Sequence, residues 1–204
     1  EQAEALLKPL ATGSVEAAQQ YALALQAVGD SYGWNDDYPR ALGHHARAEQ
    51  FIAGLSGPIR EAVPVRIVRA GNLRLLGESY HKLRKPGEAK ATLEQAVALN
   101  RSLLAAAPDD PILSRKLISA LWYSAVVHRS NERNEAARGA IDEAVARANE
   151  RAGRDPRDAG ALHLVALTGE VQAQVLGDLG RFADSYAAGD LVLAAHRKLV
   201  ALGG

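Results

Sequence analysis

The chain is 204 residues long, 48% of them apolar, and carries 24 basic against 24 acidic side chains. The apolar share allows a packed interior, and the even charge balance argues against the basic footprint of a nucleic-acid binder. Without a cysteine the chain forms no disulfide, thiolate metal site or cysteine nucleophile, and no apolar run approaches the roughly 20 residues of a membrane helix.

No basic-then-apolar leader is read at the start and the sequence contains no methionine. It therefore reads as a mature form or as a piece of something longer. Residues 1–6 (EQAEAL) resemble residues 94–99 (EQAVAL), so 1–13 is expected to be the tail of a truncated upstream repeat. Ser14 then offers an N-cap, and Asn35-Asp36-Asp37 reads as a tight turn between two helices. The next start differs: Ala62 stands at the cap position, with Gly57-Pro58 and Pro64 around it. Lys85-Pro86-Gly87 supplies the next turn. Asp110-Pro111 is a cap followed by proline at the first helical position, and residues 131–134 form another turn. Pro156 ends that copy, Asp158 caps the following helix, and Gly180-Arg181 turns the chain once more. Strand signals are weak, whereas Ala, Leu, Glu, Arg and Gln abound and apolar residues recur at spacings of three and four, as in Leu73, Leu76, Tyr80 and Leu83.

These segments superimpose at a period of 48 residues. Gly29, Gly77, Ala125 and Ala173 share one column, and Tyr32, Tyr80, His128 and Leu176 a second. Ala41, Ala89, Ala137 and Ser185 form a third, and Ala48, Ala96, Ala144 and Val192 a fourth. A fixed period of this size marks stacked repeats that bury their apolar faces against neighbours. The expected organisation is a single domain, 1–204, with repeats at about 14–56, 57–109, 110–157 and 158–204.

The small-then-aromatic pattern late in the first helix, and the small residues in the second, resemble the tetratricopeptide repeat. Gly29, Tyr32, Tyr38, Ala41 and Ala48 carry it in the first copy, and Gly77, Tyr80, Ala89, Leu93 and Ala96 in the second. Ala125, Ala137, Ile141 and Ala144 carry it more weakly in the third; Gly180, Phe182 and Ser185 do so in the fourth. Two departures stand out. Leu25, Leu73, Leu121 and Gly169 replace the family's early tryptophan, and each unit is longer than the family's usual ~34 residues, which lengthens the helices. The resemblance implies an all-α, right-handed superhelical solenoid of about four antiparallel hairpins. It also implies a concave groove lined by the first helix of each hairpin, and a non-catalytic scaffold that binds a peptide or partner protein there.

Counting from the Gly/Ala column predicts the groove residues. They are Gln19, Gln26 and Asp30 in the first copy and Arg74, Glu78 and His81 in the second. The third copy gives Arg115, Trp122 and Arg129, and the fourth His163, Glu170 and Gln174. An exposed Trp122 among Arg74, Arg115 and Arg129 would suit a carboxylate-bearing peptide with one apolar anchor; alternatively Trp122 is core and the arginines a solvated face. Trp34 is expected to pack over its own hairpin end, with a partner contact as the alternative. Residues 81–85 form a basic cluster suited to a helix C-terminus. Asn72 lies outside the groove columns, which speaks against the family's Lys/Asn carboxylate clamp. His45 and Glu49 stand at i and i+4 but lack further ligands in a metal-binding pattern. No phosphate loop or nucleophile elbow is present. The sequence thus points to no enzyme, cofactor, metal or nucleic-acid partner, and to no direct membrane insertion.

Two alternatives accompany the peptide-binding scaffold. The Ala-rich hairpins are similar to repeat regions attached to bacterial serine/threonine kinases, which would make the chain a sensory or docking region. Its location would then be extracytoplasmic if the kinase is membrane-linked, and cytoplasmic by default otherwise. The last helix, about residues 183–202, carries an apolar stripe at Ala188, Leu191, Ala195, Leu199 and Leu202, which suggests homo-oligomerisation.

Overall fold

The computed structural model describes residues 10–203. Among these residues there are helices and turns and no strand. Helices α1 (Val15–Trp34) and α2 (Tyr38–Ala53) form the first hairpin, and a single helical turn, α3 (Gly57–Arg60), follows. Then come α4 (Val63–Lys82) with α5 (Pro86–Ala106), α6 (Pro111–Ser130) with α7 (Asn134–Arg154), and α8 (Ala159–Asp178) with α9 (Phe182–Gly203). The fold is all-α, a succession of antiparallel helical hairpins as the 48-residue period leads one to expect. The chain divides into two compact units, residues 1–106 and 107–204.

The starts of the helices follow the sequence signals. Ser14 Oγ accepts from Ala17 N at 3.1 Å, Asp110 Oδ1 from Ile112 N at 2.7 Å, and Asp158 Oδ1 from Ala161 N at 3.0 Å. Each cap satisfies a backbone donor that the first helical turn leaves open. Ala62 makes no such bond, and the second repeat enters its helix through α3 and Pro64 instead.

The ends of the first helices share one device. Asp36, Arg84, Glu132 and Gly180 fall 48 residues apart and all have left-handed backbone, with φ of 58°, 56°, 58° and 72°. At each, the next residue's N–H reaches back five residues, as in Asp37 N to Tyr32 O at 3.0 Å and Arg181 N to Leu176 O at 2.9 Å. This is the Schellman arrangement, which satisfies the last carbonyls of a helix and turns the chain sharply. Glycine occupies the strained position only in the fourth copy.

In the first unit the core joins Ala18, Ala22 and Leu25 of α1 to Ala48, Phe51 and Ile52 of α2 and to Val65 and Val68 of α4. Tyr21 meets Phe51 edge-on at 4.6 Å. The small-residue columns allow close helix contact: a Cβ on Gly77 would stand 2.5 Å from Leu93 Cγ. Ala41, Ala89 and Ala137 are buried, and Ser185 in their column donates its hydroxyl to Ala173 O at 2.8 Å. In the second unit Leu117, Ile118, Leu121, Val127, Ile141 and Val175 are the large, fully enclosed hydrophobic side chains among the described residues. The stripe expected on α9 splits. Ala188 and Ala195 are buried with Val192, whereas Leu191 and Leu202 are exposed, because the seam runs 188–192–195 and turns Leu191 away.

Candidate functional site

The first unit holds a cleft of about 450 Å³ between α1, the start of α2, and α4. Asp30, Arg74 and Glu78 meet in it, together with His45, Trp34 and Tyr38. The reason is local: 30 lies one residue past the Gly29 column and 78 one past Gly77, so equivalent faces of successive first helices converge. Gly29 also admits the ring of His45, since a Cβ there would lie 2.5 Å from His45 Cε1. His45 is in the column of Leu93 and Ile141 and shares their burial, at 2% exposure.

The electrostatics of the cleft are dominated by carboxylates. Arg74 Nη1 donates to Glu78 Oε2 at 3.0 Å across one helical turn. Tyr38 donates its hydroxyl to Asp36 Oδ1 at 3.0 Å, fixing a third acid at the rim. His45 Nε2 lies 3.8 Å from Asp30 Oδ1, outside hydrogen-bonding distance. Burial lowers the His45 pKa to about 4, reinforced by the Arg74 and His44 charges and opposed by Asn72. The imidazole is therefore neutral near pH 7. Burial also raises the Asp30 pKa; Arg74 counteracts this and Glu78 adds to it. Asp30, Asp36 and Glu78 thus face Arg74 and a neutral histidine, with Lys82 at the rim, its Nζ 5.5 Å from the Tyr38 ring.

Other predicted groove residues have structural partners. Gln26 is buried and donates Nε2 to Val68 O at 2.8 Å. Trp122, in the same column, is half-buried, meets Tyr123 edge-on at 4.7 Å, and donates its indole N–H to Leu167 O at 3.2 Å. Both side chains tie one first helix to the next. Arg129 pairs with Asp178 at 2.5 Å and with Gln174 Oε1 at 2.7 Å. Arg115 is exposed on α6, and His81 is half-buried at the end of α4, where burial and then Lys82 lower its pKa. Of the remaining groove positions, Gln19 is half-buried while His163 and Glu170 are exposed.

The charges of Arg74 and Arg129 are thus already met by the protein's own carboxylates. Asn72 is fully buried and donates to His45 O at 2.9 Å, away from any groove. His45 and Glu49 diverge: Glu49 pairs with Arg69 at 2.6 Å while His45 faces Asp30.

Trp34 differs from its expected packing role. It is 89% exposed and stands at the edge of the cleft. Counting columns missed it, with Asp36 and Tyr38, because these residues belong to the turn and the start of α2. The signal was present in the sequence as a tryptophan beside a run of acids at a hairpin turn.

No family model matches the sequence, and no curated protein matches it. Two solved structures share a loose backbone likeness. One is the crystal structure of BtubC (BKLC) from P. vanneervenii, at 16% identity over 100% of this chain and 94% of that one, with a TM-score of 0.49. The other is a putative kinesin light chain from Podosopora anserina described as having nearly identical TPR-like repeats, at 14% identity over 88% of this chain and 97% of that one, with a TM-score of 0.38.

Proposed function

We propose that the chain is a non-catalytic interaction scaffold and that the cleft of the first unit receives a partner segment presenting a lysine or arginine. The observation that carries this reading is the combination of Asp30, Asp36 and Glu78 with the 89%-exposed Trp34. A cation entering the cleft gains carboxylate contacts, and its stem or guanidinium plane lies against the indole face. An acidic segment would meet like charge.

The test is fluorescence polarisation with matched basic and acidic peptides. Basic peptides should bind, more weakly as salt rises. Trp34→Ala and Asp30→Asn should each weaken binding about tenfold, equivalent to roughly 1.4 kcal/mol. If acidic peptides bind better, or if neither substitution alters binding, this assignment of the cleft fails.

A further inference from the structure

Resting on the reading of the cleft as a site for a basic segment, we infer that it selects arginine over lysine, as the second unit holds an arginine of its own in the equivalent place. Helices α6 and α8 begin and end two 48-residue periods after α1 and α4. Positions 30, 33, 78 and 82 therefore correspond to 126, 129, 174 and 178.

In the second unit position 129 is an arginine of α6 that reaches α8. Its Nε donates to Asp178 Oδ2 at 2.5 Å and its Nη1 to Gln174 Oε1 at 2.7 Å. One guanidinium thus meets two acceptors that lie one turn apart on the facing helix, as its planar fork allows. In the first unit position 33 is Gly33 and position 78 is Glu78, and both line the cleft. The space that the Arg129 side chain fills between its two helices is left open where glycine stands.

The acceptors differ between the units in one respect. Lys82 stands where the second unit has Asp178, with its Nζ 5.5 Å from the Tyr38 ring. Asp30 stands where the second unit has Val126, and it lines the cleft with Glu78. Glu78 Oε2 accepts from Arg74 Nη1 at 3.0 Å, and a carboxylate has lone pairs for further donors. The acceptor pair is therefore divided between α1 and α4. A guanidinium carries N–H groups on several edges of one plane and spans such a pair, whereas an ammonium is a compact, strongly hydrated point charge. Asp30, Asp36 and Glu78 face the two cations Arg74 and Lys82 here. Charge alone thus draws a ligand cation weakly, and directional hydrogen bonds decide which cation is held.

Fluorescence polarisation of the full chain with three labelled peptides, identical but for one central arginine, lysine or citrulline, tests this. The arginine peptide should bind about tenfold tighter than the lysine peptide. Citrulline, which keeps the shape and loses the charge, should bind least. Gly33→Arg places an arginine where Arg129 stands, so it should fill the cleft and weaken the arginine peptide about tenfold. Gly33→Ala should bind as wild type does, since a Cβ there meets Ala41 Cβ at 3.9 Å, an ordinary contact. Lys82→Asp, at an exposed position, should tighten arginine binding by restoring the acid of the second unit. Circular dichroism should show unchanged helix content in all three variants. If lysine binds as tightly as arginine and Asp30→Asn weakens both, the cleft remains a cation site and its selectivity for arginine is overturned. Gly33→Arg that binds the arginine peptide as well as Gly33→Ala does overturns that selectivity too. Binding of none of the peptides overturns it together with the basic-segment reading.

Discussion

Gly169 and Val192 are matched in size: a Cβ on Gly169 would lie 2.7 Å from Val192 Cγ2. Their columns show why. The equivalents of Gly169 are Leu25, Leu73 and Leu121, and those of Val192 are Ala48, Ala96 and Ala144. Three hairpins place the large residue on the first helix, and the fourth places it on the second. Two separate departures from the repeat pattern are thus one compensated exchange of volume across a helix contact.

Gly169→Leu alone should overpack this contact and destabilise the chain by about 1–3 kcal/mol. Adding Val192→Ala should recover much of the loss by restoring the arrangement of the other hairpins. A denaturant-based double-mutant cycle measures the coupling; purely additive effects would show that the two residues do not share one contact.

His45 should make stability depend on mildly acidic pH. Its pKa falls from 6.5 unfolded to about 4 folded. Above pH 6.5 both states hold it neutral. As pH falls from there toward 4, the unfolded chain takes up a proton that the folded chain does not, so stability is lost, by about 3 kcal/mol over the window. Asp30, raised by burial, acts in the opposite sense at lower pH, where the folded state holds its proton more tightly. Replacing His45 by Leu, the residue of the equivalent position 93, should flatten the upper part of a stability–pH profile. An unchanged slope between pH 6.5 and 4 would count against burial of a neutral imidazole.

The two tryptophans should behave oppositely. Trp34→Ala should leave the melting curve within about 0.5 kcal/mol of wild type, since the side chain is exposed. Trp122→Phe removes the bond to Leu167 O and should cost about 1 kcal/mol. Thermal melts of both variants distinguish a surface anchor from a structural tie, and equal effects would contradict the assigned roles.

The turn column predicts a further asymmetry. Gly180→Ala places a Cβ on left-handed backbone, φ 72°, and should cost about 1 kcal/mol. Arg84→Gly, at φ 56°, relieves the same strain and should be neutral or slightly stabilising, because the glycine's greater unfolded freedom offsets part of the gain. Chemical denaturation of the two variants reads both signs.

The hairpins, their caps at Ser14, Asp110 and Asp158, the turns at 35–37, 85–87, 131–134 and 180–181, and the buried columns are legible in the sequence alone. These follow from local rules and a repeated contact between neighbours, which periodicity records directly. Which polar side chains remain open to a partner is set by long-range packing. Gln26 and Val68, Trp122 and Leu167, and Arg129 and Asp178 lie 42, 45 and 49 residues apart, and nothing in their spacing requires those pairings. Long helices present several polar residues near one groove. Competition among nearby carbonyls, carboxylates and cations engages Arg129 and Trp122, while leaving Trp34 exposed beside Asp30.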